Sequence, residues 1–123
     1  MGLKFLKIAV IYLFLGALLG LGMGIAQNFA LVPVHAHLLL LGWASLALAG
    51  LVYHLYPVAS TTRLARIHFW LHNLGLPVFM ISLGLLLTGR EALVPVVVVS
   101  ASAVLIGIAI FATNVLVNVK PAP

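Results

Sequence analysis

Hydrophobic positions along this chain do not alternate with polar ones; they cluster into four long blocks separated by short polar breaks. The blocks cover about Ile8 to Ala26, Val34 to Tyr56, Ile67 to Leu87 and Val94 to Val117. Each approaches or exceeds the roughly 20 residues that a helix needs to cross a bilayer. Without water to satisfy exposed backbone groups, runs of this length are expected to be helical. That expectation overrides the strand preference of the valine-rich stretch VPVVVVSASAV in the last block. The breaks are short, so consecutive helices should be neighbours of opposite direction. The pattern therefore predicts an all-α membrane protein, in which one domain over residues 1–123 forms an antiparallel up-down bundle of four transmembrane helices.

Composition narrows the environment. The chain is 65% hydrophobic and 6% charged, with mean hydropathy +1.33, whereas a soluble domain is about a quarter charged. Membrane lipid is its expected surrounding. The absence of cysteine excludes disulfides, thiolate metal sites and c-type haem attachment. The first block is too long for a signal-peptide core and ends at no clear cleavage site, so it is expected to be retained.

The net charge of +5 follows topology. Lys4, Lys7, Arg63, Arg66 and Lys120 fall on one side of four crossings, and only Arg90, beside the single acid Glu91, falls on the other. The positive-inside rule puts both termini in the cytoplasm. This distribution leaves no basic patch in need of a nucleic-acid partner.

Small and polar residues mark the packing. Gly16, Gly20 and Gly24 form two overlapping GxxxG spacings, a groove for a neighbouring helix of the same chain or of another copy. Gln27 and Asn28 close the first helix, Pro33 opens the second, and Pro77 predicts a kink or freed carbonyl in the third. Ser100, Ser102, Thr113 and Asn114 are available for bonds across helices in an otherwise structural fourth segment.

All five histidines lie in or at the ends of the second and third blocks. Imidazole is costly in lipid, which makes these residues the candidate site. His35 and His37 start the second helix on its outer side. His54 lies near its other end, roughly 25 Å lower at the helical rise per residue. His68 and His72 enter the third helix on that inner side, so no single ion can collect all five. Two residues apart on a helix, His35 and His37 point to nearly opposite faces. They are suited to separate pockets, as axial ligands of haem iron would be; alternatively, one is a ligand and the other an interfacial hydrogen-bonder. Gly42 returns to the His35 face and is expected to leave room for a flat porphyrin. His68 and His72 have the i,i+4 spacing of many metal pairs, but no carboxylate lies near them. An inner metal or haem site would use His72 with His54, leaving His68 as a simple interfacial residue.

The run HAHLLLLGWASLALAGLVYHLYP followed by RLARIHFWLHNLGLPVFMISLGLLLTG resembles part of subunit I of the haem–copper oxidases, including the cbb3-type oxidases and nitric oxide reductases. The likeness covers about Val34 to Gly89. Its HxH pair resembles the family's tenth helix, whose two histidines ligate a low-spin and a high-spin haem on opposite sides. The single-histidine second helix of the cbb3-type and nitric oxide reductase subunits is an almost equal match. This resemblance implies haem b at His35 and His37, with Arg90 near a propionate. The family subunit has at least twelve helices in an approximate threefold arrangement of four-helix arcs, and its copper site draws three histidines from other helices. This chain has four blocks and no such set. A homotrimer would reproduce the arcs, with His37 of one protomer facing His35 of the next across a haem. The functional expectation is electron transfer from a respiratory donor, or binding of O2 or NO. The alternatives are a minimal oxygen or nitric oxide reductase carrying haem plus a second metal such as copper, and a cofactor-free structural or assembly subunit of a respiratory complex.

Overall fold

Apolar runs that must satisfy their own backbone become four long helices, and no strand forms. The computed structural model describes all residues from Met1 to Pro123. Helix one is Gly2–Ala26, helix two Val32–Leu55, helix three Arg63–Leu87 and helix four Val94–Asn118. All four are long and apolar enough to cross a membrane. Single helical turns, Pro57–Ser60 and Glu91–Leu93, lie in the second and third connections.

Helices one and three begin earlier than hydropathy suggests. Lys4 and Lys7 belong to helix one and are exposed, because a long aliphatic stem lets a cation reach the membrane surface without ending the helix. Helix three starts at Arg63 because the Thr62 hydroxyl accepts the Ala65 N–H at 3.1 Å, satisfying a donor that the first turn leaves open. Helix one ends at Gln27, whose left-handed backbone (φ 51°) directs its N–H to the Met23 carbonyl.

Helix two is not uniform. Between α-helical ends, Leu38–Ala44 winds as a π-helix, a wider turn with i to i+5 bonding that is rare outside special sites. The Ser45 hydroxyl donates to the Leu40 carbonyl at its end.

Helices one and two meet through glycine. A Cβ on Gly16 would lie 2.6 Å from the Leu39 side chain, one on Gly20 2.7 Å from the His35 ring, and one on Gly42 2.5 Å from the Tyr12 ring. At Gly50 the Gly2 carbonyl would be 2.9 Å away. The GxxxG groove is thus filled from within the chain at Gly16 and Gly20, while Gly24 has open space around it. Helices three and four approach through Gly75, against Val104 and Ala103, and Gly107, against Leu71 and the His72 backbone.

Rings hold the two helix pairs to each other. Phe5 stacks on His68 (5.0 Å) and meets Phe69 edge-on (5.3 Å). Tyr53 meets Phe111 (5.6 Å), and His37 meets Phe79 (5.2 Å), both edge-on. The Asn114 amide donates to the Ala59 carbonyl at 2.9 Å. Of the four polar residues expected to bond across helices, only Asn114 reaches outside its own helix, and its partner lies in the turn after helix two. Ser100, Ser102 and Thr113 return to carbonyls of their own helix, where a short hydroxyl finds an acceptor one turn back.

Gly42→Ala is expected to destabilise the protein by about 1–3 kcal/mol, the usual cost of overpacking. Gly24→Ala should change stability by less than about 0.5 kcal/mol, as at an unencumbered surface position. Unfolding in mixed micelles, followed by tryptophan fluorescence, separates the two.

Candidate functional site

The five histidines fall into distinct chemical states, and backbone carbonyls decide which. His35 and His37 each place Nδ1 against a main-chain oxygen: Gly16 at 2.8 Å for His35 and Pro33 at 2.6 Å for His37. A carbonyl can only accept, so each Nδ1 carries the proton. In a neutral ring Nε2 then holds a lone pair. Neither Nε2 has a hydrogen-bond partner within the chain. Imidazoles that bind metals almost always donate their other N–H to a carbonyl or carboxylate, which fixes tautomer and orientation. Both outer histidines, half-buried, meet that condition.

Their surroundings differ. The His35 ring lies over Gly20 of helix one, where any side chain would collide with it. His37 is bonded within its own helix and faces Phe79 of helix three. The opposite orientations expected from their spacing are thus realised as contacts with different neighbours. Gly42 does share the His35 face, but the Tyr12 ring fills the space in front of it. It is a packing position and leaves no slot for a porphyrin. Arg90 is exposed. It follows the end of helix three, where Gly84 approaches Val34 of helix two, and so lies at the same end of the bundle as His35 and His37. Neither histidine lines the cavities of about 570, 440 and 370 Å3.

The inner histidines correct two expectations. His68 is not an interfacial residue: it is 1% exposed, as is His72. His72 is not paired with His54, whose side chain is exposed, but with His68. His72 Nε2 lies 2.8 Å from the Leu41 carbonyl, His72 Nδ1 3.2 Å from His68 Nε2, and His68 Nδ1 3.0 Å from the Tyr53 hydroxyl. The carbonyl accepts, so His72 Nε2 carries a proton and, in the neutral ring, its Nδ1 accepts from His68 Nε2–H. His68 Nδ1 therefore accepts from the Tyr53 O–H. The chain has one direction, Tyr53 to His68 to His72 to Leu41, and uses all four imidazole nitrogens.

All four ring nitrogens are thus engaged in hydrogen bonds within the chain. No group of three or more His, Cys, Asp or Glu residues is placed to hold a metal ion. A metal at His68 or His72 would have to break a bond in the buried chain and leave its partner unsatisfied, a cost of about 1–3 kcal/mol per group. The helical spacing of His68 and His72 was visible in sequence. Their acceptor was not, because it is a carbonyl of the π-helical turn and no side chain announces it. Tyr53, next to His54 in sequence, was overlooked because a tyrosine near a helix end is ordinary at a membrane surface.

Tyr53→Phe and His68→Leu are each expected to cost about 1–3 kcal/mol by leaving buried nitrogen unpartnered. In a Tyr53→Phe/His72→Leu cycle the two losses should fall short of additivity by about 0.5–3 kcal/mol, as for residues in one network. Micellar unfolding of the four proteins measures that term. Comparisons with known proteins give no match: no family model, no curated protein and no solved structure.

Proposed function

We propose that this chain is a b-type haem protein of a bacterial inner membrane, with His35 and His37 as iron ligands. One observation carries the proposal: both rings have Nδ1–H committed to a carbonyl, so that the Nε2 lone pair is left free. The resemblance of the HAH…Y…P run to haem–copper oxidase subunit I supports the same assignment. In this reading consecutive helices run antiparallel and both termini are cytoplasmic, as the distribution of basic residues indicates.

The group fits the donors but not a cavity within one chain. Gly42 is blocked by Tyr12, and neither outer histidine lines any of the three cavities described above. A porphyrin would therefore be held at the outside of the bundle. That requirement favours a homo-oligomer, a trimer by analogy with the family's three arcs, in which His37 of one protomer and His35 of the next supply the ligands. The Gly16 and Pro33 carbonyls hold the rings in the ligating tautomer, and Gly20 provides the space that keeps His35 in place. Arg90, free of any acid partner and at the same end of the bundle, is available to a propionate. Haem, when bound there, supplies an iron that exchanges one electron or binds a diatomic gas. The buried His68–His72 pair contributes no ligand, which favours a cytochrome over a reductase with a second metal beside the haem.

Protein purified from haem-replete cells is expected to show a Soret band. His35→Ala and His37→Ala should abolish it or shift it strongly, whereas His54→Ala should leave it unchanged. A colourless protein, or a spectrum that neither outer substitution alters, would overturn the assignment. Native mass spectrometry tests the shared site: a haem-loaded monomer would rule it out.

A further inference from the structure

A second feature lies halfway across the bundle, between helices one and three. Ile8, Tyr12 and Leu15 of helix one face Asn73, Pro77 and Met80 of helix three across a cavity of about 440 Å3. This is the size of a small-molecule site, and its walls are apolar, as such sites usually are. Tyr12 is only 9% exposed. Its ring rests on Gly42, and its hydroxyl makes no hydrogen bond within the chain. Asn73 forms part of the opposite wall. Its Nδ2 donates to the Phe69 carbonyl, but its Oδ1 is buried and unpartnered. Pro77, one turn later, has no N–H to offer the Asn73 main-chain carbonyl.

Depth identifies what the Tyr12 hydroxyl lacks. Tyr12 and Asn73 each lie near the midpoint of their helices. Unsatisfied polar groups are expensive there, and a water would need two to four polar partners. Phospholipid ester carbonyls are remote too, since the hydrocarbon core is about 30 Å thick and its midplane about 15 Å from either interface. An acyl chain would fill the volume but present no oxygen. The missing partner must bring its own oxygen into the core.

We propose that this cavity binds the ring of a lipid-soluble quinone, with the Tyr12 hydroxyl donating to a ring carbonyl. A quinone is flat and apolar, dissolves in the hydrocarbon layer and carries its acceptor oxygens on the ring. The assignment does not depend on haem.

The test is saturable retention of decylubiquinone by the protein in nanodiscs, measured by extraction and mass spectrometry above the level in empty discs, so that haem content does not enter. Wild type is expected to saturate. Tyr12→Phe keeps the ring against Gly42 and should weaken retention about tenfold, roughly the loss of one hydrogen bond in a water-poor site. Ile81→Trp, at the lipid-facing rim of the cavity, should abolish retention without disturbing the buried core. Retention no greater than in empty discs, equal retention by wild type and Tyr12→Phe, or equal displacement by an unfunctionalised alkane would each overturn the proposal. The last two would make the cavity a site for hydrocarbon alone.

Discussion

Main-chain carbonyls govern the chemistry of this molecule. Oil supplies no hydrogen-bond partners, so every imidazole carried into it must settle its N–H on something the protein provides. Three of the five do so on backbone oxygen: His35 on Gly16, His37 on Pro33 and His72 on Leu41. An amide oxygen never donates, and each contact therefore fixes a tautomer. Where the bond uses Nδ1, Nε2 is left outward and free. Where it uses Nε2, Nδ1 turns inward and must be satisfied by another side chain. The same residue type thus becomes a potential ligand at one end of helix two and a buried structural link beside its centre.

The backbone provides those oxygens at two kinds of place. Gly16 belongs to a surface with no side chains to hold His35 away, so the ring reaches the main chain of a neighbouring helix. Leu41 lies in the π-helical turn, whose different bonding pattern places its carbonyl toward His72 of helix three. Both are consequences of close approach: glycine sets the spacing between helices one and two, and the wide turn adjusts the direction of one carbonyl within helix two. Phe5 stacked on His68 and Phe111 tilted against it surround the link with apolar rings.

Much of this was legible in the residues. Hydropathy located four helices, and errors at their starts came from lysine stems and a threonine cap, neither of which a mean over apolar residues can register. The glycine groove was visible as spacing, although its occupant was not: a run of small residues declares room and leaves open what enters it. The separation of the histidines into outer and inner groups followed from helical rise alone. What could not be read was the state of each ring. His68 seemed surface-bound because Arg63 and Arg66 precede it, yet one further turn carries it under Phe5 and against Tyr53. Gly42 seemed to open a slot for a porphyrin, but the side chain that closes it lies thirty positions earlier in the sequence. Backbone acceptors have no letter in the alphabet of side chains, so contacts that end on them are silent until the chain is folded.

The inner link also has a bearing on the membrane around it. A file of hydroxyls and rings that continued to bulk water could pass H+ by successive hops and discharge an energised bilayer. This one stops, part-way across, on an oxygen with nothing to hand on. The molecule can thus carry imidazole into an apolar layer without opening a path for protons through the bundle.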